Sequence, residues 1–173
     1  LRFAWRVSHG RFEIRAMKKI VILSDTHGNL SAIYSIYDIL LESDMVFHLG
    51  DHYDDMNEFE GVLGDKLYRV YGNCDFGRDP KEILVDVEGV KIFATHGDLY
   101  GVKRTATRLI ERAKEPGANA VFYGHTHCAE IKEIDGITLI NPGSAERYST
   151  NKSFCYCVIS NGKITAVINE NIG

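Results

Sequence analysis

The sequence predicts an α/β fold of four layers (αββα), in which two mixed β-sheets pack face to face and helices cover their outer faces. Three observations predict it. Strand and helix patterns alternate through residue 71, whereas residues 129–169 contain strand patterns only. The strand patterns are more numerous than one parallel sheet needs, so a second sheet is expected. Helical patterns fall mainly in the first part of the chain, as expected for short crossovers between parallel strands.

The first part of the chain is predicted to form short β-α-β units. A continuous apolar run at residues 19–24 is typical of a strand that is covered on both faces. Residues 30–41 then place apolar side chains at helical spacing, with Asn29 or Ser31 as the N-cap. The next predicted elements are a strand at 45–49, a helix at 55–63 and a strand at 66–71.

The second part of the chain is predicted to be rich in hairpins. Asp135-Gly136 and Asn161-Gly162 are the residue pairs that a two-residue type I′ turn requires. They join predicted strands 129–134 to 137–140 and 153–160 to 163–169, and Glu88-Gly89 joins 82–87 to 90–95. A helix at 102–114 ends before Pro116-Gly117, and a short strand follows at 120–123.

Residues 17–173 are interpreted as one domain that begins at Met17, and residues 1–16 as a non-native or disordered extension that precedes it. The extension carries four arginines and one glutamate, and it lacks the 7–15 apolar residues of a signal peptide. A mitochondrial-type presequence is the alternative, which the lack of serine richness disfavours. The four cysteines (74, 128, 155 and 157) are therefore expected to be reduced thiols in a cytoplasmic protein.

Charge and hydropathy exclude two classes of function. The chain has 20 basic and 24 acidic residues, and without residues 1–16 the counts are 16 and 23, a formal net charge of −7. No cluster of lysine and arginine remains, so a nucleic-acid clamp is not expected. No run approaches the roughly 18–20 apolar residues of a membrane span, so no membrane partner is expected either.

Five short segments follow apolar runs and carry residue types that bind metals. They are Asp25-Thr26-His27, Gly50-Asp51, Gly72-Asn73-Cys74-Asp75, His96-Gly97 and Gly124-His125-Thr126-His127. Together they provide carboxylates, one amide and four imidazoles, enough to hold two divalent ions that share a carboxylate. Since open α/β sheets bind ligands at the carboxyl ends of their strands, we expect these side chains to converge.

This ordered set resembles the signature of the calcineurin-like metallophosphoesterase superfamily, and it spans about residues 18–169. The short chain without a cap and the cysteine in Gly-Asn-Cys-Asp are similar to the small YfcE-like phosphodiesterase branch. The resemblance implies that Asp25, His27 and His127 hold a first metal ion. It likewise implies that Asn73, His96 and His125 hold a second ion and that Asp51 bridges both. Mn²⁺ is the preferred candidate by analogy, with Fe, Co, Ni or Zn also suited to these donors.

The resemblance also implies hydrolysis of small phosphodiesters by attack of a metal-bridging hydroxide. The residues expected to act in catalysis are Asp51, Asn73, Cys74, Asp75 and His96. Most members have histidine at position 74, so the thiol predicts weaker help to poor leaving groups and a preference for diesters over alkyl monoesters. Whether Cys74 takes part or only fills space stays open. Asp75 is expected to accept hydrogen bonds from an imidazole or from backbone donors.

Two stretches beside these segments are less informative. His52, Asp54 and Asp55 are interpreted as a solvated loop face, with a position at the rim of the site as the alternative. Residues 141–144, Arg147 and Tyr148 are expected either to wall the pocket or to form a subunit contact. The sequence does not decide between these two roles.

Two alternative functions remain on the same fold. The first is a protein-binding scaffold similar to the Vps-type retromer subunit, whose metal ligation is impaired; the complete ligand set argues against it. The second is a phosphomonoesterase that acts on nucleotides or phosphoproteins. A homodimer or a higher homo-oligomer is expected from the resemblance alone.

Overall fold

The computed structural model describes residues 17–77, 79–170 and 172–173, so the interpretation of residues 1–16 lies outside the described residues. Ten strands within these residues form two five-stranded sheets. The strands are β1 (Lys18–Leu23), β2 (Met45–His48), β3 (Leu67–Arg69), β4 (Glu82–Val87), β5 (Val90–Thr95), β6 (Ala120–Phe122), β7 (Glu130–Ile134), β8 (Ile137–Asn141), β9 (Ser153–Ser160) and β10 (Lys163–Glu170).

Both sheets are mixed, as the sequence predicts. The first has the order β10-β9-β1-β2-β3, and β1, β2 and β3 run parallel. The second has the order β4-β5-β6-β8-β7, and β5, β6 and β8 run parallel. The carboxyl ends of β1 to β3, and those of β5 and β6, immediately precede the five predicted ligand segments.

Side chains that alternate along the strands divide the core into three layers. Ile20 and Ile22 of β1 point between the sheets, where they join buried residues of both sheets such as Phe122. Val21 and Leu23 point the other way and pack under the first helices. Because successive side chains of a strand point to opposite faces, both faces of β1 are buried. Burial of each such side chain stabilises the folded state by roughly 1.5–3 kcal/mol.

Helices cover the two outer faces and complete the predicted αββα arrangement. They are α1 (Leu30–Ser35), α2 (Tyr37–Glu42), α3 (Glu60–Leu63) and α4 (Thr107–Lys114). Helices α1 to α3 pack on the first sheet, whereas α4 places Leu109, Ile110 and Ala113 against the second. None of the described helices has the length and apolar character that a membrane crossing needs.

The helices are shorter than the sequence predicts. The helix expected at 30–41 divides at Ile36, which leaves helical geometry at φ −114° and ψ 16°. Tyr53–Phe59 is a 3₁₀ helix ahead of α3, and α4 begins at Thr107 because residues 101–104 form turns. Apolar spacing reports which side chains are buried, but it does not separate α-helical from 3₁₀ or turn backbone.

The hairpins are confirmed. Each predicted two-residue turn has both residues at positive φ, for example Asp135 at 54° with Gly136 at 75° and Asn161 at 55° with Gly162 at 71°. This is the conformation of a type I′ turn, whose twist matches that of the flanking strands. Cys155 and Cys157 of β9 are fully buried on the face between the sheets, as small apolar side chains would be.

Candidate metal centre

The five predicted segments converge at one edge between the sheets. The Asp25 N–H donates to the Gly50 carbonyl at 2.9 Å, which joins the loops after β1 and β2. The Gly124 N–H donates to the His96 carbonyl at 3.0 Å, which joins the loops after β5 and β6. The two sheets are connected where the His125 N–H donates to Asp25 Oδ2 at 3.1 Å. Hydrogen bonds of the backbone therefore set the positions of these loops.

The loops hold their polar residues in an uncommon backbone conformation. Nine described residues other than glycine have positive φ, and six of them lie in these loops at φ 45° to 68°. The six are Asp25, His27, Asp51, His52, His125 and His127. A left-handed conformation at residues with a side chain costs free energy, and such residues concentrate at functional sites.

Close packing of the loops requires a glycine at position 72. A Cβ atom there would lie 2.3 Å from Asp51 Oδ1 and 2.9 Å from His96 Cδ2. Both distances are shorter than van der Waals contact allows, and neither neighbour is free to move because both are almost fully buried. The loop after β3 can therefore approach the Asp51 carboxylate only without a side chain at this position.

The first group of candidate ligands consists of Asp25, His27 and His127, whose ligand atoms lie within 4.8 Å of one another. His127 Nε2 is 3.0 Å from Asp25 Oδ1, yet Asp25 Oδ1 and His27 Nε2 are buried without a hydrogen bond of acceptable geometry among the described residues. Burial acts to raise the pKa of Asp25, but His127, His96 and Ser24 outweigh it, so the pKa is lowered. Asp25 is therefore an anion, and its Oδ1 points into the cluster towards His127.

The second group consists of Asp51, His96 and His125. The His96 Nδ1–H donates to the Leu49 carbonyl at 2.7 Å, which leaves the lone pair of Nε2 facing His125 Nδ1 at 3.0 Å. Burial, with a further contribution from Lys103, lowers the pKa of His125. Neutral imidazoles are the form that binds cations.

Asp51 lies between the two groups. Its Oδ2 is 3.7 Å from His27 Nε2, and its Oδ1 is 3.5 Å from His96 Nε2. The carboxylate is 4% exposed, so it faces the cluster rather than solvent. Each carboxylate oxygen is thus directed at a different group, which is the geometry a bridging ligand needs.

Asn73 and Cys74 lie on the exposed side of the cluster. The Cys74 N–H donates to Asp51 Oδ1 at 2.9 Å, and the thiol forms a third ligand group with His27 and Asp51. Burial, then Asp51, raises the pKa of the Cys74 thiol to about 11. The Asn73 amide nitrogen donates to Cys74 Sγ at 3.3 Å. Six of the seven predicted ligands thus belong to the three ligand groups. The seventh, Asn73, contacts Cys74 of the third group.

Asp75 accepts hydrogen bonds from backbone donors, one of the two arrangements expected for it. Its Oδ2 accepts from the Gly72 N–H and the Asp51 N–H, each at 2.8 Å. Its Oδ1 accepts from the N–H groups of His52 at 2.6 Å and Tyr53 at 3.3 Å. One carboxylate therefore joins the loop after β2 to the loop after β3, and it positions Asp51 without facing the ligand atoms itself.

A set of polar residues that the sequence pattern does not reveal supports the loop after β1. The sequence predicts a solvated Asp55, but its Oδ2 accepts from Thr26 Oγ1 at 2.6 Å and from the Gly28 N–H at 2.8 Å. His48 Nε2 lies 3.0 Å from the same hydroxyl, and burial lowers the pKa of His48 to about 4, so this imidazole is neutral. Nothing in the local pattern of Thr26 or Asp55 indicates this pairing, because their positions are far apart in the chain.

The stretch at 141–144 also supports the ligand loops. The Asn141 amide donates to the Gly124 carbonyl and to Thr126 Oγ1, both at 3.0 Å. The Ser144 hydroxyl donates to the Asp25 carbonyl at 3.0 Å. Asn141 is the last residue of β8, and a polar side chain at the carboxyl end of a parallel strand was a signal available in the sequence.

The donors present fit divalent cations. Carboxylate oxygens and neutral imidazoles are common ligands of Mn, Fe, Co, Ni and Zn ions. Asp25 Oδ1 and His27 Nε2, buried without a hydrogen bond among the described residues, are atoms that a bound cation would satisfy. These two buried atoms therefore indicate metal ligation, and this observation does not depend on the sequence pattern.

Comparison with known proteins agrees with this geometry. Residues 17–163 match the family profile described as calcineurin-like phosphoesterase superfamily domain. The chain belongs to this superfamily. It is 33% identical over 145 residues to the probable metallophosphoesterase YsnB of Bacillus subtilis, a match that covers 82% of this chain and 83% of YsnB. The prediction that the chain belongs to this superfamily is therefore confirmed. The superfamily is a class of metal-dependent phosphoesterases.

Two further similarities concern a named phosphodiesterase and the fold. The phosphodiesterase YfcE of Escherichia coli is 23% identical over 181 residues, which cover 87% of this chain and 92% of YfcE. The structure of Vacuolar Protein Sorting 29 from Cryptosporidium parvum superposes with a TM-score of 0.73 at 18% identity, over 91% of this chain and 99% of that one. The second similarity shows the shared fold alone.

Proposed function

We propose that this protein is a phosphodiesterase that uses two divalent metal ions to hydrolyse small phosphodiesters. The observation that carries the proposal is the position of Asp51, whose two carboxylate oxygens are directed at separate groups of ligands. One carboxylate shared by two ligand sets supports two adjacent cations rather than one. Bound divalent ions would lower the pKa of a coordinated water from about 15.7 towards about 7 and would neutralise charge on phosphoryl oxygens.

The residues of the chain have distinct roles in this proposal. Asp25, His27 and His127 would hold one ion, and His96, His125 and Asn73 would hold the other. The Leu49 carbonyl keeps the His96 Nε2 lone pair directed at the cluster, because it accepts the proton of Nδ1. Asp75 keeps Asp51 in place by binding four backbone N–H groups. Mn²⁺ is the ion we propose by analogy with the superfamily.

Two features support diesters as substrates. A neutral thiol at position 74 offers neither positive charge nor a good proton donor to a poor leaving group. Separate cavities adjoin the cluster, one at His127 and one at Cys74, and they share no lining residue. A phosphate bound at the cluster would thus have space for a substituent on either side.

The test is turnover by protein that has been stripped with a chelator and reloaded with Mn²⁺. We expect hydrolysis of bis(4-nitrophenyl) phosphate and of a 2′,3′-cyclic nucleotide, with much slower hydrolysis of 4-nitrophenyl phosphate. Faster hydrolysis of the monoester would favour a phosphomonoesterase. Bound metal without turnover of any ester would favour a protein-binding scaffold, the other alternative on this fold.

The variant Asp51→Asn should abolish turnover, because an amide cannot supply an anionic oxygen to each of two cations. Its metal content, measured by elemental analysis, should fall as well. Asp65→Asn is the matched control, since Asp65 is exposed in a 3₁₀ turn away from the ligand loops. Full activity in Asp51→Asn would reject the proposed role of Asp51.

A further inference from the structure

A cavity of about 360 Å³ opens beside His127, and its lining indicates which kind of substituent it would accept. We call it the His127 cavity. Its volume lies within the roughly 300–1,000 Å³ of small-molecule sites. The residues that define its chemistry are His127, Ser149, Thr150, Asn151, Ser153 and Glu170. Because His127 belongs to the candidate metal cluster, a molecule in this cavity would adjoin any phosphate held there.

The lining of the His127 cavity is unusually polar for a ligand site. Among the described residues that line it, Ala129 alone lacks a hydrogen-bonding side chain or thiol, whereas most small-molecule sites are lined by apolar and aromatic groups. Hydroxyl and amide side chains can both donate and accept hydrogen bonds. An apolar substituent would displace water from these groups without replacing its hydrogen bonds, so the lining favours a substituent that carries hydroxyls.

The charges around the cavity exclude a second anion. Among the described residues, no lysine or arginine lines it, whereas Glu170 does. Glu146 is also close, with its Oε1 3.6 Å from His127 Nδ1. Two carboxylates without a basic partner in the lining would repel an additional phosphate or carboxylate. The favoured occupant is therefore uncharged.

The floor of the cavity is rigid, while its rim is accessible. Ser153 is 1% exposed and its hydroxyl donates to the Pro142 carbonyl at 2.7 Å. A Cβ atom at Gly143 would lie 2.2 Å from Ser153 Oγ, so the backbone packs directly against this hydroxyl. Thr150 and Asn151 on the rim are exposed. The Ser153 hydroxyl at the floor is thus held in place, whereas residues of the rim can be substituted without disturbing the core.

We propose that the His127 cavity is a subsite for one arm of the phosphodiester, and that this arm is an uncharged, hydroxyl-bearing group of the sugar or polyol type. This inference rests on the proposed function, because the phosphate must bind at the cluster for its arm to enter the cavity. The arm would be selected by hydrogen bonds to the serine, threonine and asparagine side chains of the rim and floor.

The test compares two phosphates of the same chain length, glycerol 3-phosphate and n-propyl phosphate, by titration calorimetry with the Mn²⁺-loaded protein. They differ in two hydroxyls, so a subsite of this kind should bind glycerol 3-phosphate at least about tenfold more tightly. Thr150→Trp should remove the difference by filling the cavity. Thr165→Trp is the matched control on the exposed face of β10, and it should retain the difference.

Each outcome is informative. Equal binding of the two phosphates, or a difference that survives Thr150→Trp, would overturn the subsite while leaving the proposed function intact. Absence of binding by both phosphates would overturn the subsite, and turnover of bis(4-nitrophenyl) phosphate then decides the proposed function separately. The expected result is a preference for the hydroxylated ligand that depends on position 150 and not on position 165.

Discussion

At the residue scale, the candidate metal centre depends on conformations and contacts that few amino acids allow. Asp25, His27 and Asp51 have positive φ, and their loops are held by hydrogen bonds to residues remote in the chain. The left-handed conformation costs on the order of 1–3 kcal/mol at each of these residues. Interactions with the surrounding structure must offset this cost. Glycine at position 72 and the carboxylate of Asp75 are the two features on which this arrangement most directly depends.

We predict that Gly72→Ala will impair metal binding with little change in secondary structure. The added Cβ would lie 2.3 Å from Asp51 Oδ1, so either the loop or the carboxylate must move. We expect at least a tenfold loss of Mn²⁺ affinity, measured by calorimetry, because shifts of supporting groups around a metal cost about 10–100-fold.

Gly61→Ala provides the control for Gly72→Ala. Gly61 lies in α3 with no atom within 4 Å of an added Cβ. This variant should bind Mn²⁺ normally and be more stable by up to about 0.5–1 kcal/mol, because alanine favours helix. Equal metal affinity in the two variants would mean that position 72 does not constrain the site.

We predict that Cys74→His will increase activity towards esters with poor leaving groups. The thiol has a pKa raised to about 11, so it is neutral and a poor acid at neutral pH, whereas an imidazolium can donate a proton. The gain in kcat/KM on alkyl esters should reach up to about 10²–10⁴-fold, with little gain on nitrophenyl esters. Cys74→Ala, which removes the thiol without adding a proton donor, should show no gain. A histidine variant that behaves like the alanine variant would contradict this account.

At the scale of secondary structure elements, side-chain contacts hold the neighbouring strands β1 and β2 in register. The Asp44 carboxylate, just before β2, accepts from the Lys19 N–H at 2.8 Å and pairs with Lys18 at 3.4 Å. These bonds join the start of β1 to the end of the α2–β2 connection. The hydrogen bond from the Lys19 backbone lowers the pKa of Asp44 more than burial raises it, with a smaller contribution from Lys18.

We predict that Asp44→Asn will reduce stability at neutral pH but not in acid. A carboxyl whose folded pKa is lowered contributes stability above its unfolded pKa of roughly 3.9, and this contribution is lost as pH falls through the folded pKa. The difference in free energy of unfolding should stay below about 1 kcal/mol at pH 7, because the pair is partly exposed.

Urea unfolding at pH 7, 5 and 3 would measure the effect of Asp44→Asn. The difference between the wild type and the variant should be similar at pH 7 and 5 and shrink at pH 3. Asp86→Asn is the control, since Asp86 is exposed on β4 and has no side-chain hydrogen bond or ion pair among the described residues. A difference that grows in acid would have the wrong sign for this explanation.

At the scale of the whole molecule, the two sheets create the site by facing each other. Parallel strands β1 to β3 of one sheet and β5 and β6 of the other end at the same edge. The loops from the first sheet supply the aspartates and His27, and those from the second supply His96, His125 and His127. Neither sheet alone contains a complete ligand group of the first or second kind.

We predict that metal loading will stabilise the entire fold. Cations that bind only the folded cluster add RT ln(1 + [L]/Kd), about 2.7 kcal/mol at a concentration of 100 Kd. For a chain of this size the melting temperature should rise by several degrees, measured by calorimetry with and without Mn²⁺. His127→Ala should lose most of this rise. An unchanged melting temperature with Mn²⁺, Zn²⁺, Ni²⁺ and Co²⁺ would argue against a preformed metal site.

The amino-acid sequence by itself determined the strands, the hairpin turns and the superfamily, because apolar periodicity, turn residues and ligand motifs are local signals. It predicted helix extents poorly, since the division at Ile36 and the 3₁₀ backbone at Tyr53–Phe59 depend on packing against the first sheet. The supporting roles of Asp55, His48 and Ser144 were likewise decided only by the tertiary structure. Their partners are distant in the chain, and hydrogen bonds between such residues exist only once the two sheets and their loops have met.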